Sequence, residues 1–174
     1  MPLDHGEIVE VYRRRAARYD FTANLYYLIG FRLEAYRRAA VAQLALQPGD
    51  TVVDVGCGTG LNFRLLERVV GPTGRIIGVD LTDAMLAQAR RRTEREGWRN
   101  VDLVACDAAR YDFPGGTGGI LSTFALTLVP FYRPFAVTFD LAERHPWEAI
   151  ARHMKNATVS PRFFGFAYVA TGQA

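Results

Sequence analysis

Lysine is almost absent. Of the 21 basic residues in this 174-residue chain, only Lys155 is a lysine. The rest are arginines, and a net charge of +3 gives no strongly basic surface of the kind that holds nucleic acid. Cysteine is scarce too, with Cys57 and Cys106 the only two. Two thiols build neither a disulfide framework nor a metal site, so a reduced, cytoplasmic setting without a bound metal is expected. No run approaches the ~18 apolar residues of a membrane span. The opening "MPLDHGEIVEVYRRR" lacks the apolar centre of a secretory signal. Any membrane contact is expected to be peripheral. Repeats and low-complexity tracts are missing as well.

What is there is ordinary globular composition: 49% hydrophobic and 22% charged residues, enough for one domain with one core. Residues 5–46 carry apolar side chains at helical spacing, from Ile8, Val11 and Tyr12 to Leu33, Tyr36 and Val41, with a break at Gly30. "TVVDV" at 51–55 is a short buried strand, followed by a glycine loop and a helix to about Val70 that ends at "GPTG". "RIIGVD" at 75–80 is a second strand. Thr82 or Asp83 caps the next helix, and Gly97 ends it. "VDLVACD" at 101–107 and "GGILSTFALTLV" at 118–129 supply a third and a fourth strand. Strand alternating with helix predicts an α/β fold, a mostly parallel sheet with helices on both faces. Beyond Pro130 a helix at about 146–154 and two closing strands, "ATVS" and "RFFGFAYVATG", are expected.

In such a sheet ligands sit at the carboxyl ends of the strands. A loop there with Gly56, Gly58 and Gly60 lets the backbone approach a nucleotide-like ligand. The spacing is G-x-G-x-G, and Leu61 stands where a dinucleotide fingerprint needs its last glycine. A phosphate-binding P-loop is excluded too, since no Gly-Lys-Ser/Thr follows.

Four segments in order, "VVDVGCGTG", "GVDLTDAML", "LVACDAARYDFP" and "LSTFALTLVP", resemble the motifs of class I S-adenosylmethionine-dependent methyltransferases over roughly residues 50–130. The resemblance implies a Rossmann-like sheet and assigns roles by position. Gly56, Cys57, Gly58 and Gly60 would face the methionine part of the cofactor, and Asp54 would answer its ammonium, directly or through water. Asp80 would take the two ribose hydroxyls. Leu81 and Met85 would sandwich the adenine. Asp107 would accept from the adenine amino group, with the Ala108 amide nearby. Ser122, Thr123 and Phe124 would lie near the departing methyl group. S-adenosylhomocysteine is the implied product. Each assignment competes with a plainer role: a strand-to-helix turn for the glycines, a helix cap for Asp80, a turn residue for Asp107, small core residues for Cys57 and Cys106.

The "YD" pair in "YRRRAARYDFTANLYYLIGFR" and the C-terminal "FFGFAYVATG" are similar to enzymes that N-methylate betaine-lipid or phosphatidylethanolamine headgroups, and to quinone C-methyltransferases. The acceptor is therefore expected to be a small molecule or lipid headgroup, an amine nitrogen first and a quinone carbon as the alternative. A non-catalytic S-adenosylmethionine-binding protein is the third reading, and no nucleic acid partner is expected. Tyr12, Arg18 and Tyr19 would close over the cofactor, or else pack and solvate an ordinary helix. Tyr26, Tyr27, Phe131, Tyr132 and Trp147 would line an acceptor pocket, or else belong to the core. His145 is the candidate base. "RRRTEREGWR" at 90–99 is a solvated helix face, with contact to anionic lipid as the other reading. The expected plan is an N-terminal helical cap (1–47), a cofactor core (48–130) and a closing helix and strands (131–174). The family pattern continues after its fourth strand with a helix, a Pro-Gly-Gly turn and a fifth strand. That unit of roughly 30–40 residues is missing between Val129 and Phe135.

Overall fold

The computed structural model describes residues 10, 13, 14, 16, 33–123, 155–162 and 167–173. Its elements are α1 (Leu33–Gln43), β1 (Thr51–Val55), α2 (Phe63–Val70), β2 (Arg75–Asp80), α3 (Asp83–Glu96), β3 (Val101–Ala105), a short 3-10 turn at Ala108–Arg110, β4 (Gly119–Thr123), β5 (Lys155–Arg162) and β6 (Ala167–Gln173). The sheet runs β3-β2-β1-β4-β6-β5. The first four strands are parallel, and β6 and β5 close the sheet antiparallel.

Strand periodicity divides the core. Val52 and Leu121 face one side with Ala40 and Val41 of α1, Phe63, Leu66 and Val70 of α2, and Leu86 and Ala89 of α3. Val53, Val55, Ile77, Val79 and Ile120 face the other, against Ala108, Tyr111 and Phe113. All three described helices therefore feed one face. The helix expected at about 146–154 lies outside the described residues.

Several boundaries shift from expectation. The helical stretch expected over 5–46 is described as α1 with Glu10, Arg13 and Arg14, also helical. The third strand stops at Ala105 rather than at residue 107, because the chain turns there: Cys106 N donates to Asp80 O (3.0 Å), and Arg110 N to Asp107 O (2.9 Å). Thr82 occupies the N-cap of α3 without a side-chain cap bond, while Gly97 ends that helix left-handed at φ 73°. The last two strands fall at 155–162, which encloses the expected segment 157–160, and at 167–173, which begins five residues into the expected segment 162–172 and ends one residue beyond it.

Among the described strands β4 has no open edge. β6 pairs directly with β4, with Ile120 opposite Gly172 and Thr123 opposite Val169. The backbone groups on that side of β4 are thus taken up within the sheet.

Phe63 is the plug between loop and sheet. Its side chain is fully buried. A Cβ on Gly60 or on Gly78 would lie 2.6 Å from its ring, so two glycines from different elements make its seat. Phe63→Ala should destabilise the fold by about 3–5 kcal/mol. Urea unfolding checks this through a lowered midpoint at unchanged slope.

Candidate active site

β1 is buried from Val52 to Val55, and one of these residues is charged. Asp54 has no exposed surface. Burial pushes its carboxyl up to about 7, against the hydrogen bond from Asn62 and the charge of Arg37, which both pull it down; Asp80 adds a small upward push. Asn62 Nδ2 donates to both Asp54 oxygens, at 2.9 and 3.1 Å, and to Thr123 Oγ1 at 2.9 Å. Arg37 Nη1 donates to Thr123 Oγ1 at 3.2 Å and reaches Asn62 Oδ1 at a long 3.5 Å. Four polar side chains from α1, β1, the α2 N-terminus and β4 thus form one buried array.

The glycine loop lies over this array. Gly56, Gly58 and Gly60 all take positive φ, at 66°, 56° and 76°. Gly56 N and Cys57 N both donate to Val79 O (2.8 and 3.0 Å), and Gly60 N closes a turn on Cys57 O (2.9 Å). Gly58 N donates to Asp80 Oδ2 (2.8 Å), and the other Asp80 oxygen accepts from Thr82 N (2.8 Å). Asp80 therefore pins the loop to the end of β2, and burial raises its carboxyl above the usual range against those two bonds. The expected approach of these four residues to a ligand is consequently not made through their amides, which are committed inside the protein. A Cβ on Gly58 would meet nothing within 4 Å, so this glycine borders open space. Arg92 of α3 braces the loop from behind, its Nε donating to Thr59 O at 2.9 Å.

A cleft opens beside the loop. It is lined by Gly56–Thr59 and Leu61, by Asn62, by Arg37 of α1 and by Thr123 of β4. It lies where β1 has β2 on one side and β4 on the other, the point at which strand order reverses.

The remaining sequence candidates fall around this centre. Leu81 is exposed directly after Asp80, and Met85 is buried in the first turn of α3. Asp107 is half-buried two residues past the end of β3, and Ala108 packs on the second core face. Ser122 is buried, and its hydroxyl has no hydrogen-bond partner among the described residues. It shares the face of Ile120, whereas Thr123 lines the cleft. The Cys57 thiol is pushed well above its ordinary range, chiefly by burial and then by Asp54 and Asp80; it is a small packing group rather than a nucleophile. Tyr12, Arg18, Tyr19, Tyr26, Tyr27, Phe124, Phe131, Tyr132, His145 and Trp147 lie outside the described residues. Arg13 of the N-terminal segment pairs with Asp83 at 3.0 Å, three residues past Asp80, and lowers that carboxyl. Arg37 and Asn62 went unsuspected from sequence.

The family model described as a methyltransferase domain matches residues 52–137. The chain is 33% identical over 109 residues to the ubiquinone/menaquinone biosynthesis C-methyltransferase UbiE of Ectopseudomonas mendocina, covering 62% of this chain and 42% of that protein. It is 38% identical over 86 residues to a demethylmenaquinone methyltransferase of Symbiobacterium thermophilum, covering 48% of this chain and 34% of that one. The match thus spans less than half the length of these relatives. Among solved structures, a precorrin-6y C5,15-methyltransferase from Geobacter metallireducens aligns with a TM-score of 0.53 at 18% identity, covering 83% of this chain and 92% of that one. A SAM-dependent methyltransferase from Aquifex aeolicus aligns at 0.51 and 15%, covering 78% and 88%. At such identity these two establish the fold alone. Residues 52–137 thus resemble a methyltransferase domain, and the fold is the one these methyltransferase structures share. No helix among the described residues is long and apolar enough to cross a membrane.

Asp54 sets a pH dependence. Its folded-state pKa is raised, so its neutral form favours folding; that contribution is full below the ordinary carboxylate pKa of about 4 and is lost as pH rises through about 7. Asp54→Asn should flatten the stability profile between those values. Denaturation series on both proteins across pH 4–8 (roughly the window of the two pKa values) check this; parallel profiles would mean that Asp54 ionises freely in the fold.

Proposed function

We propose that this chain transfers a methyl group from S-adenosylmethionine to a small-molecule acceptor. The observation that carries this is the pair of carboxylates at the strand-order switch point, Asp54 buried beneath the glycine loop and Asp80 half-buried beside it. The residues present fit the cofactor. Asp54 with Asn62 offers negative charge to an ammonium. Asp80 uses one lone pair of each oxygen on the backbone and keeps others for ribose hydroxyls. Gly58 leaves open space where any side chain would intrude. Leu81 and Met85 flank the position for an adenine, and Asp107 and Ala108 stand at the next strand end for its amino edge. When bound, S-adenosylmethionine supplies an electrophilic methyl group on a sulfonium. The protein's contribution is to hold donor and acceptor in line and to exclude water.

The acceptor class that the relatives support is a quinone-type carbon, since both are named as quinone-pathway methyltransferases. A carbon acceptor needs a base, for which His145 is the candidate, with Tyr19 closing the site. The second reading is an amine nitrogen, as in a lipid headgroup met at a membrane surface. It is supported by the resemblance of the "YD" and "FFGFAYVATG" segments. Incubation with methyl-labelled cofactor decides between them. Label in a demethylated quinol supports the first, and label in an aminolipid presented as vesicles supports the second. Bound cofactor with no transfer to either would point to a non-catalytic binder.

Asp80→Ala should weaken S-adenosylhomocysteine binding by about 1.5–3 kcal/mol, the range for hydrogen bonds to a charged group. Calorimetric titration reads this directly. An unchanged affinity would remove Asp80 from the site.

A further inference from the structure

We propose that Arg92 is a positioning residue for ligand binding: from α3 it locks the peptide between Thr59 and Gly60 and so holds the glycine loop in register with that helix. The proposal rests on the cofactor reading above. It assigns Arg92 no contact with the ligand.

The run "RRRTEREGWR" at 90–99 reads as a solvated face, and one of its arginines departs from that. Arg90, Arg91, Arg95 and Arg99 are exposed, while Arg92 is half-buried. Arg92 follows Met85 by about two turns of α3, which puts both on one flank of the helix. Met85 is buried, and Arg92 Nε donates to Thr59 O at 2.9 Å. This flank is therefore the one turned to the glycine loop.

Thr59 stands between two glycines at positive φ, Gly58 at 56° and Gly60 at 76°. Gly60 is required where it is, since a Cβ there would lie 2.6 Å from the Phe63 ring. The same glycine leaves the Thr59–Gly60 peptide free to turn, because that rotation runs through its φ. Bonds at both ends of the peptide oppose the turn. Gly60 N donates to Cys57 O at 2.9 Å, and Thr59 O accepts from Arg92. Thr59 is buried, where a carbonyl without a partner is costly. The guanidinium makes the bond charge-assisted, hence one of the stronger kind. Asp80 holds the preceding residue, Gly58, from the end of β2. The elements that hold the loop thus also carry Asp80, Leu81 and Met85, the nucleoside side of the proposed site. Arg92 fixes the loop against that side before a ligand enters. Without it the ligand would have to order the loop itself, at a cost in affinity.

Amide hydrogen exchange read by NMR, with calorimetric titration of S-adenosylhomocysteine, tests this on the full chain, on Arg92→Met, on Arg92→Lys and on the exposed neighbour Arg91→Met. Arg92→Met is expected to speed exchange at Gly60, whose amide belongs to the braced peptide, and to leave β1 and β2 unchanged. It is expected to weaken S-adenosylhomocysteine by ~10-fold, the scale of a lost charge-assisted hydrogen bond. Arg92→Lys keeps a charged donor and should recover most of both effects, and Arg91→Met should produce neither. Exchange that quickens equally throughout the sheet would make Arg92 a packing residue and overturn the proposal. Unchanged affinity in Arg92→Met would overturn it too, as would an Arg92→Lys protein as weak as Arg92→Met. If Arg92→Met does not fold, the unmutated chain still decides. Its Gly60 amide should be protected before any ligand is added, and protection that appears only with S-adenosylhomocysteine overturns the proposal. A chain with Gly60 protected that binds no S-adenosylhomocysteine would instead overturn the cofactor reading, and this inference with it.

Discussion

A carboxylate without exposed surface sits in the central strand of a parallel sheet, and much of the surrounding structure answers it. Isolated, such a charge costs more than a small domain can spare. Asn62 supplies two hydrogen bonds, Arg37 supplies charge, and Thr123 ties the two together. These three come from a helix N-terminus, an earlier helix and the neighbouring strand. The partners of Asp54 therefore fix the relative placement of α1, the loop and β4. A core made only of the apolar clusters on the two sheet faces would pack as well without defining this point so narrowly.

The loop above it is held by a different set of bonds. The carbonyl of Val79 takes two loop amides, and the Asp80 carboxylate takes one more. Phe63 fills the volume beneath, using the absent side chains of Gly60 and Gly78. The glycines thus have two jobs. Gly60 admits an aromatic ring from inside the protein, while Gly58 leaves room on the side of the cleft. A rigid loop over a buried acid is preorganised, so little ordering is left to be done when a ligand arrives. Among the described strands, β6 takes the place beside β4 expected of a fifth strand, past the loop, β2 and Asp80.

Much of this was readable from the residues. β1 and β2 are bounded where their β-branched runs end, because short buried strands between turn residues have few alternatives. The glycine loop, Asp54 and Asp80 stand out by spacing. The array that holds Asp54 did not, although two signals were present. A lone aspartate inside "TVVDV" requires a buried partner, and Asn62 is the nearest amide downstream. Arg37 lies three and four residues before Ala40 and Val41, on the buried face of α1. An arginine at that position reads as solvated until the strand opposite is known to carry a buried acid. The direct β4–β6 pairing was unreadable for another reason: local pattern predicts that a strand exists, and only tertiary contact decides its neighbour.

On the proposed function, a short sheet with this loop and these two acids holds an S-adenosyl ligand. The most direct measurement is equilibrium dialysis of labelled S-adenosylmethionine against the full chain. Saturable binding of one ligand per chain in the micromolar range, ~8 kcal/mol, is what the account predicts. A folded protein, shown so by its circular dichroism and cooperative melting, that leaves the ligand equally distributed across the membrane would contradict it.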